Sequence, residues 1–153
     1  MDVALEAARA AGDIIRDRFN SEHEVHFKGR SDIVTDVDLA AEKMILELLT
    51  KEFPEFSVLS EESRPIESDS PYKWIVDPLD GTRNYAHGIP HFCTIIALAK
   101  DNHIVAGLDL CCVDNGSNPC GYTAPYVTNL VERCVFANFG HCNFRQNRKI
   151  RES

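Results

Sequence analysis

Apolar positions in the first twenty residues recur at helical spacing. Ala4, Ala7, Ala8, Ala11, Ile14, Ile15 and Phe19 form one stripe, with Glu6, Arg9, Asp13 and Arg16 off it. That pattern predicts an amphipathic helix over residues 2–19. Residues 24–27 suggest a short strand. A second helix is expected from about Thr35, where Thr35-Asp36-Val37-Asp38 has the form of a capping box. Its apolar face would be Val37, Ala41, Met44, Ile45, Leu48 and Leu49, and Phe53-Pro54 ends it. Beyond the helices the pattern changes to short β-prone runs at residues 56–60 and 73–76, each leading into acidic side chains. Residues 91–100 and 103–108 flank Asp101-Asn102, a dipeptide suited to a two-residue hairpin.

Two helices followed by several strands and a hairpin predict an α+β fold, with the two helices packed on a mostly antiparallel sheet. After Leu108 the periodicity is lost. Asn115-Gly116-Ser117-Asn118-Pro119 is turn material, residues 128–136 fit a strand or a short helix equally, and residues 145–153 are polar. The sequence therefore divides into a patterned domain, residues 1–108, and an atypical tail, residues 109–153.

Charge and cysteine change at the same place. Residues 1–107 hold 11 Lys and Arg against 20 Asp and Glu, a net of −9, whereas residues 108–153 hold 5 against 4, a net of +1. An acidic body repels a polyphosphate backbone, so nucleic acid is not expected as a partner. Cys93 is the lone cysteine of the first part, while Cys111, Cys112, Cys120, Cys134 and Cys142 crowd the tail. This clustering is not that of a disulfide scaffold. Zinc is a candidate ligand for the tail, together with His141, but the spacing matches no Cys-x₂-Cys pattern. No apolar run approaches the ~20 residues of a membrane span, and the first residues lack the basic and apolar regions of a signal peptide. A cytoplasmic location without membrane partners is the expectation.

The chemistry sits in three acidic segments. In Trp74-Ile75-Val76-Asp77-Pro78-Leu79-Asp80-Gly81-Thr82, an apolar strand runs into Asp77, and Pro78 is expected to stop the ladder. That arrangement turns Asp77 and Asp80 towards one point, with the Leu79 carbonyl between them. Carboxylates with a backbone carbonyl form the hard oxygen set that Mg²⁺ prefers. Gly81 permits close backbone approach, and the Gly81 and Thr82 amides are placed to hold a phosphate oxygen. Val58-Leu59-Ser60-Glu61-Glu62-Ser63 is a second strand ending in carboxylates, and the capping box supplies Asp38. Taken singly, each of these reads as an acidic turn or a helix cap.

Together they resemble the inositol monophosphatase family of Mg²⁺-dependent, lithium-sensitive phosphatases. The resemblance runs from about Val3 to Gly107. It rests on Lys28, Asp32-Ile33-Val34-Thr35-Asp36-Val37-Asp38, Ser60-Glu61-Glu62-Ser63, and Trp74 through Pro90 with Asn84-Tyr85-Ala86-His87-Gly88-Ile89-Pro90. It implies that Glu61, Asp77 and Asp80, with the Leu79 carbonyl, hold two or three Mg²⁺ ions. It implies that Asp38 and Thr82 orient and deprotonate an attacking water, with Glu61 among the catalytic residues. Leu79, Asp80, Gly81 and Thr82 would contact a small sugar or inositol phosphate, Glu62 would support the loop, and His87 would be structural.

The resemblance also implies a second half bearing a Trp-Asp-x-Ala-Gly-type motif with a further metal-ligating aspartate. The single tryptophan, Trp74, is already placed, so that motif is absent from these 153 residues. A truncated phosphomonoesterase with little or no turnover is the expectation. The alternative is a non-catalytic relic that binds a divalent metal or pairs with a full-length partner. Unburied sheet edges would favour a homodimer.

Overall fold

The computed structural model describes residues 2–27 and 33–111. Lys28 and Asp32 lie outside the described residues. So do residues 112–153, and with them most of the atypical tail, the 128–136 segment, and Cys112, Cys120, Cys134, Cys142 and His141 considered for zinc.

Helix α1 spans Asp2–Arg18 and helix α2 spans Asp36–Glu52. Ala4, Ala7, Ala8, Ala11 and Ile15 of α1 are fully buried, and these small side chains let the helix lie close against α2 and the sheet. On α2 the buried row is Val37, Ala41, Ile45 and Leu49; Met44 and Leu48 of the expected face are half-buried. Two carboxylates, Asp38 and Glu42, are buried beside that row. The capping box forms as its sequence requires, with the Thr35 hydroxyl accepting from the Val37 and Asp38 amides and Asp38 accepting from the Thr35 amide. At the other end the Phe53 amide bonds the Leu49 carbonyl before Pro54 breaks the helix.

Strands β1 (Val25–Phe27) and β2 (Ile33–Thr35) form a small antiparallel pair leading into α2. Arg18, at the end of α1, pairs with Asp36 at 2.8 Å, and Asp36 also accepts from the Glu24 amide. The chain between the helices is thereby tied to both.

The main sheet has the order β3-β4-β5-β6, formed by Ser57–Ser60, Tyr72–Asp80, Cys93–Lys100 and His103–Cys111. The β3–β4 pair is parallel and the other two pairs are antiparallel, as the α+β reading requires. Asp101 and Asn102 carry φ of 50° and 63°, the left-handed values of a tight two-residue hairpin. One face of the sheet, with Trp74, Val76, Ile96, Leu108 and Leu110, packs on the helices. Alternate residues Cys93, Ile95, Ala97, Ala99 and Ile104 make a second buried apolar cluster on the opposite face.

Two sequence expectations are corrected. Pro78 does not end its strand: β4 continues to Asp80, and the ladder only shifts register between Asp77 and Asp80. Proline cannot donate to a ladder, but its carbonyl still accepts, here from the Thr94 hydroxyl at 2.9 Å. The last strand also runs past its expected end at Leu108. Pairing of β6 with β5 runs to Cys93↔Cys111, and Leu110 is a core residue.

Candidate functional site

The site lies where β3, β4 and the start of α2 meet. Glu61 follows β3 directly, and its amide bonds the Val76 carbonyl at 3.2 Å, one residue before Asp77. The loop after β3 is closed at its base by two backbone bonds of 2.8 Å between Val58 and Ile66. The Glu61-Glu62 turn is thus held against the end of β4.

On β4 the shifted register at Pro78 sends the chain past Asp77 and Leu79 to Asp80, which pairs again with Cys93. Asp77 is the most perturbed group here. Burial pushes its carboxyl well above the ordinary carboxylate range, and the negative charges of Glu61 and Asp80, with Asp38 behind them, push it further. One of its oxygens, Oδ1, is buried without a hydrogen-bond partner. Asp80 Oδ2 lies 3.8 Å from the Cys93 thiol. Asp109, on β6 across from Ile95, belongs to the same negative neighbourhood: burial raises its carboxyl first, the Cys93 thiol offsets part of this, and Asp80 adds to it.

Gly81 follows with φ of +92°, and helix α3, Thr82–Ala86, starts directly after it. A Cβ on Gly81 would stand 2.9 Å from the His91 carbonyl oxygen and 3.3 Å from Phe92 Cα, so both conformation and space require glycine. The Thr82 hydroxyl lies 2.9 Å from Asp38 Oδ1 and 3.0 Å from the Leu79 carbonyl. It has one proton for these two acceptors. Asp38 is held from the other side by the Thr35 amide at 2.8 Å and by the Thr35 hydroxyl, both on Oδ2. Burial raises the Asp38 carboxyl, and these hydrogen bonds oppose the rise.

The turn carrying α3 is fixed independently of the acidic groups. The Tyr85 hydroxyl donates to the Ile15 carbonyl at 2.9 Å, one of the carbonyls that the end of α1 leaves without a helical partner. Tyr85 packs on Phe19, His23 and Phe92. Asn84 donates to the His91 carbonyl, and the His87 ring bonds the Arg83 carbonyl of its own turn.

The residues named from the sequence therefore meet as two linked groups: Glu61, Asp77 and Asp80 through their charges, and Asp38, Thr82 and the Leu79 carbonyl through hydrogen bonds. Among the described residues, no three His, Cys, Asp or Glu side chains are drawn together closely enough to enclose a metal ion as they stand. Carboxylates this close and this buried repel one another, so the group needs either a proton or a cation among them. Asp77 Oδ1 and Asp109 Oδ1 are both buried without a hydrogen-bond partner in this neighbourhood. Sequence reasoning missed Glu42, a buried carboxylate whose Oε1 accepts from the Ser60 hydroxyl and, at 3.1 Å, from the Glu62 amide. The signal was its position four residues after Asp38, on the same helix face.

An α+β layer protein with a carboxylate-lined site at the end of parallel strands is the class these features define. The chain belongs to the inositol monophosphatase family, whose model matches residues 1–140 and so extends past Leu108. It is 47% identical over 108 residues to an inositol-1-monophosphatase of Caulobacter vibrioides, covering 68% of this chain and 42% of that protein. It is 40% identical over 111 residues to the Nus factor SuhB of Haemophilus influenzae, covering 71% and 42%. Among solved structures, the extragenic suppressor protein suhB of Bartonella henselae superposes with a TM-score of 0.71 at 42% identity, covering 73% of this chain and 45% of that one. The chain thus spans less than half the length of these relatives.

Proposed function

We propose that this chain carries the water-activating and cation-holding part of a Mg²⁺-dependent phosphomonoesterase acting on inositol monophosphate or a related sugar phosphate. The observation that carries the reading is buried Asp77, crowded by the charges of Glu61 and Asp80 and with Oδ1 unpartnered, beside the Asp38–Thr82 hydrogen bond. Glu61, Asp77, Asp80 and the Leu79 carbonyl would hold the cation, an all-oxygen set suited to Mg²⁺. A bound Mg²⁺ supplies positive charge that neutralises phosphate oxygens and acidifies the attacking water.

The chain's own residues do the rest. Thr82 Oγ1 takes a proton from the water and passes its own to Asp38 Oδ1, 2.9 Å away. Burial makes Asp38 a better proton acceptor than an exposed carboxylate. The water oxygen then attacks phosphorus, the ester P–O bond breaks, and the sugar oxygen leaves with the bonding pair. The Gly81 and Thr82 amides, at the turn into α3, would bind the phosphate. A net charge of −8 counts against a nucleic acid as the ligand. Among the described residues no helix is long and apolar enough to cross a membrane.

The test is phosphate release from inositol 1-phosphate and from a panel of sugar phosphates with Mg²⁺, set beside Mn²⁺ uptake followed by electron paramagnetic resonance. Mn²⁺ uptake that is lost in Asp77→Asn, with phosphate release that needs the metal, supports the reading. A chain that takes up no divalent cation overturns it. Uptake without release selects the second reading, a cation-binding segment without turnover.

A further inference from the structure

We infer that Glu42 is a positioning residue for the cation site, setting the direction of Glu61 through the backbone on either side of it. This inference rests on the reading of Glu61 as a cation ligand. Glu42 is 5% exposed, with its carboxylate turned in from α2. Removing a carboxylate from water is costly unless it is hydrogen-bonded. Among the described residues, both hydrogen bonds to Glu42 come from the same short stretch: the hydroxyl of Ser60, just before Glu61, and the amide of Glu62, just after it. Bonds to an ionised acceptor are about twice as strong as neutral ones.

The geometry fixes more than a loop. The Glu61 amide is bonded to the Val76 carbonyl, next to Asp77. With Ser60 and Glu62 anchored to Glu42, the chain is held at three successive residues, and the Glu61 carboxylate lies in reach of Asp77 on β4. Asp38 and Glu42 lie one turn apart on the same face of α2. Asp38 reaches the turn after β4 through Thr82, and Glu42 reaches the turn after β3 through Ser60 and Glu62. A single helix therefore sets the spacing of both acidic loops. Groups that orient a metal ligand without touching the metal commonly matter to affinity by about 10–100-fold.

The experiment compares the full chain with Glu42→Ala, Glu42→Gln and Ser60→Ala. Mn²⁺ affinity is read by paramagnetic resonance, and amide exchange at Glu62 is read in the metal-free protein. Glutamine keeps an acceptor oxygen where Glu42 Oε1 stands, whereas alanine removes it. Glu42→Ala is expected to weaken Mn²⁺ binding about 10–100-fold and to accelerate exchange at Glu62. Glu42→Gln should stay within about threefold of the parent, the loss from a charged to a neutral acceptor. Ser60→Ala should fall between them. Parent-like binding by Glu42→Ala, or Glu42→Gln as weak as Glu42→Ala, overturns the inference, the second because it shows that charge rather than position matters. If Glu42→Ala does not fold, Glu42→Gln and Ser60→Ala decide: Ser60→Ala binding as tightly as the parent overturns it. If the parent chain takes up no Mn²⁺, the phosphatase reading is what fails. Exchange at Glu62 then judges Glu42 alone, with equal rates in Glu42→Ala and Glu42→Gln counting against it.

Discussion

Gly81 separates β4 from α3 and sets where Thr82 stands, so replacing it tests the geometry of the whole site. Its φ of +92° lies in the region that L side chains avoid, at a cost of roughly 1–2 kcal/mol for alanine. In addition, an alanine Cβ would meet the His91 carbonyl oxygen at 2.9 Å and Phe92 Cα at 3.3 Å. Both are backbone atoms at the approach to β5 and have little freedom to give way. Overpacking of this kind costs about 1–3 kcal/mol, which brings Gly81→Ala to about 2–5 kcal/mol in total. Gly88 provides the control. It has φ of +68° and nothing within 4 Å of the corresponding Cβ, so Gly88→Ala should cost only the conformational part, roughly 1–2 kcal/mol.

Urea unfolding of the parent and the two variants gives the comparison, because a midpoint shift at constant slope reads stability directly. With slopes of about 1–3 kcal/mol per molar, Gly81→Ala should lower the midpoint by about twice as much as Gly88→Ala or more. Equal shifts in the two variants would refute the argument, since they would mean that the chain at residues 91–92 does not stand against Gly81. A larger shift for Gly88→Ala would refute the assignment of strain altogether.

The other expected outcomes are these. Thr35→Ala removes the helix cap and a hydrogen bond to buried Asp38, and thermal unfolding should show a loss of about 1–3 kcal/mol that Thr35→Ser largely restores. Tyr85→Phe leaves the Ile15 carbonyl without its partner and should cost about 1–3 kcal/mol by urea unfolding; a change near zero would show that water takes the place of the hydroxyl. Asp38→Asn removes the proton acceptor for Thr82, so phosphate release, where the parent shows it, should fall by about 10²–10⁴-fold while Mn²⁺ affinity changes little. Equal losses of release and of Mn²⁺ uptake would make Asp38 part of the cation site instead.

The elements with long periodic patterns were legible in the sequence, and so was the capping box, because helix spacing and cap chemistry are local. The apolar run from Cys93 to Ala99 marked a strand without alternation, which fits a strand buried on both faces. The end of β4 was misread because proline was given its usual weight as a terminator, and only the pairing with β5 shows the ladder resuming at Asp80. Helix α3 is five residues long, too short to leave a periodic signature, and depends on Tyr85 reaching α1. The acidic residues of the site could be named from their motifs, but not their mutual geometry. That Asp77 is the group crowded by Glu61 and Asp80, and that Thr82 lies between Asp38 and Leu79, depends on contacts between segments up to 44 residues apart.

Glu42 shows why a motif can name the acidic residues of a site and still miss a buried carboxylate bonded on either side of one of them. In sequence it is one more acid on an amphipathic helix, where a carboxylate is ordinarily solvated. In the fold it lies one turn from Asp38 on a face that is otherwise apolar, and both carboxylates reach across to loops that follow parallel strands. Parallel neighbouring strands deliver their C-terminal ends to the same edge, so Glu61 after β3 and Asp77 near the end of β4 arrive together whatever the loops do. Arrival alone leaves like charges in contact, which favours their turning apart. The opposing constraint must come from an element that the repulsion cannot shift. A capped helix with four apolar residues locked into the core is such an element, and its two inward carboxylates are attached to the loops by hydrogen bonds. The site is thus held together from α2, and perturbing that helix should disturb both loops at once, whereas a change within either loop should disturb only its own.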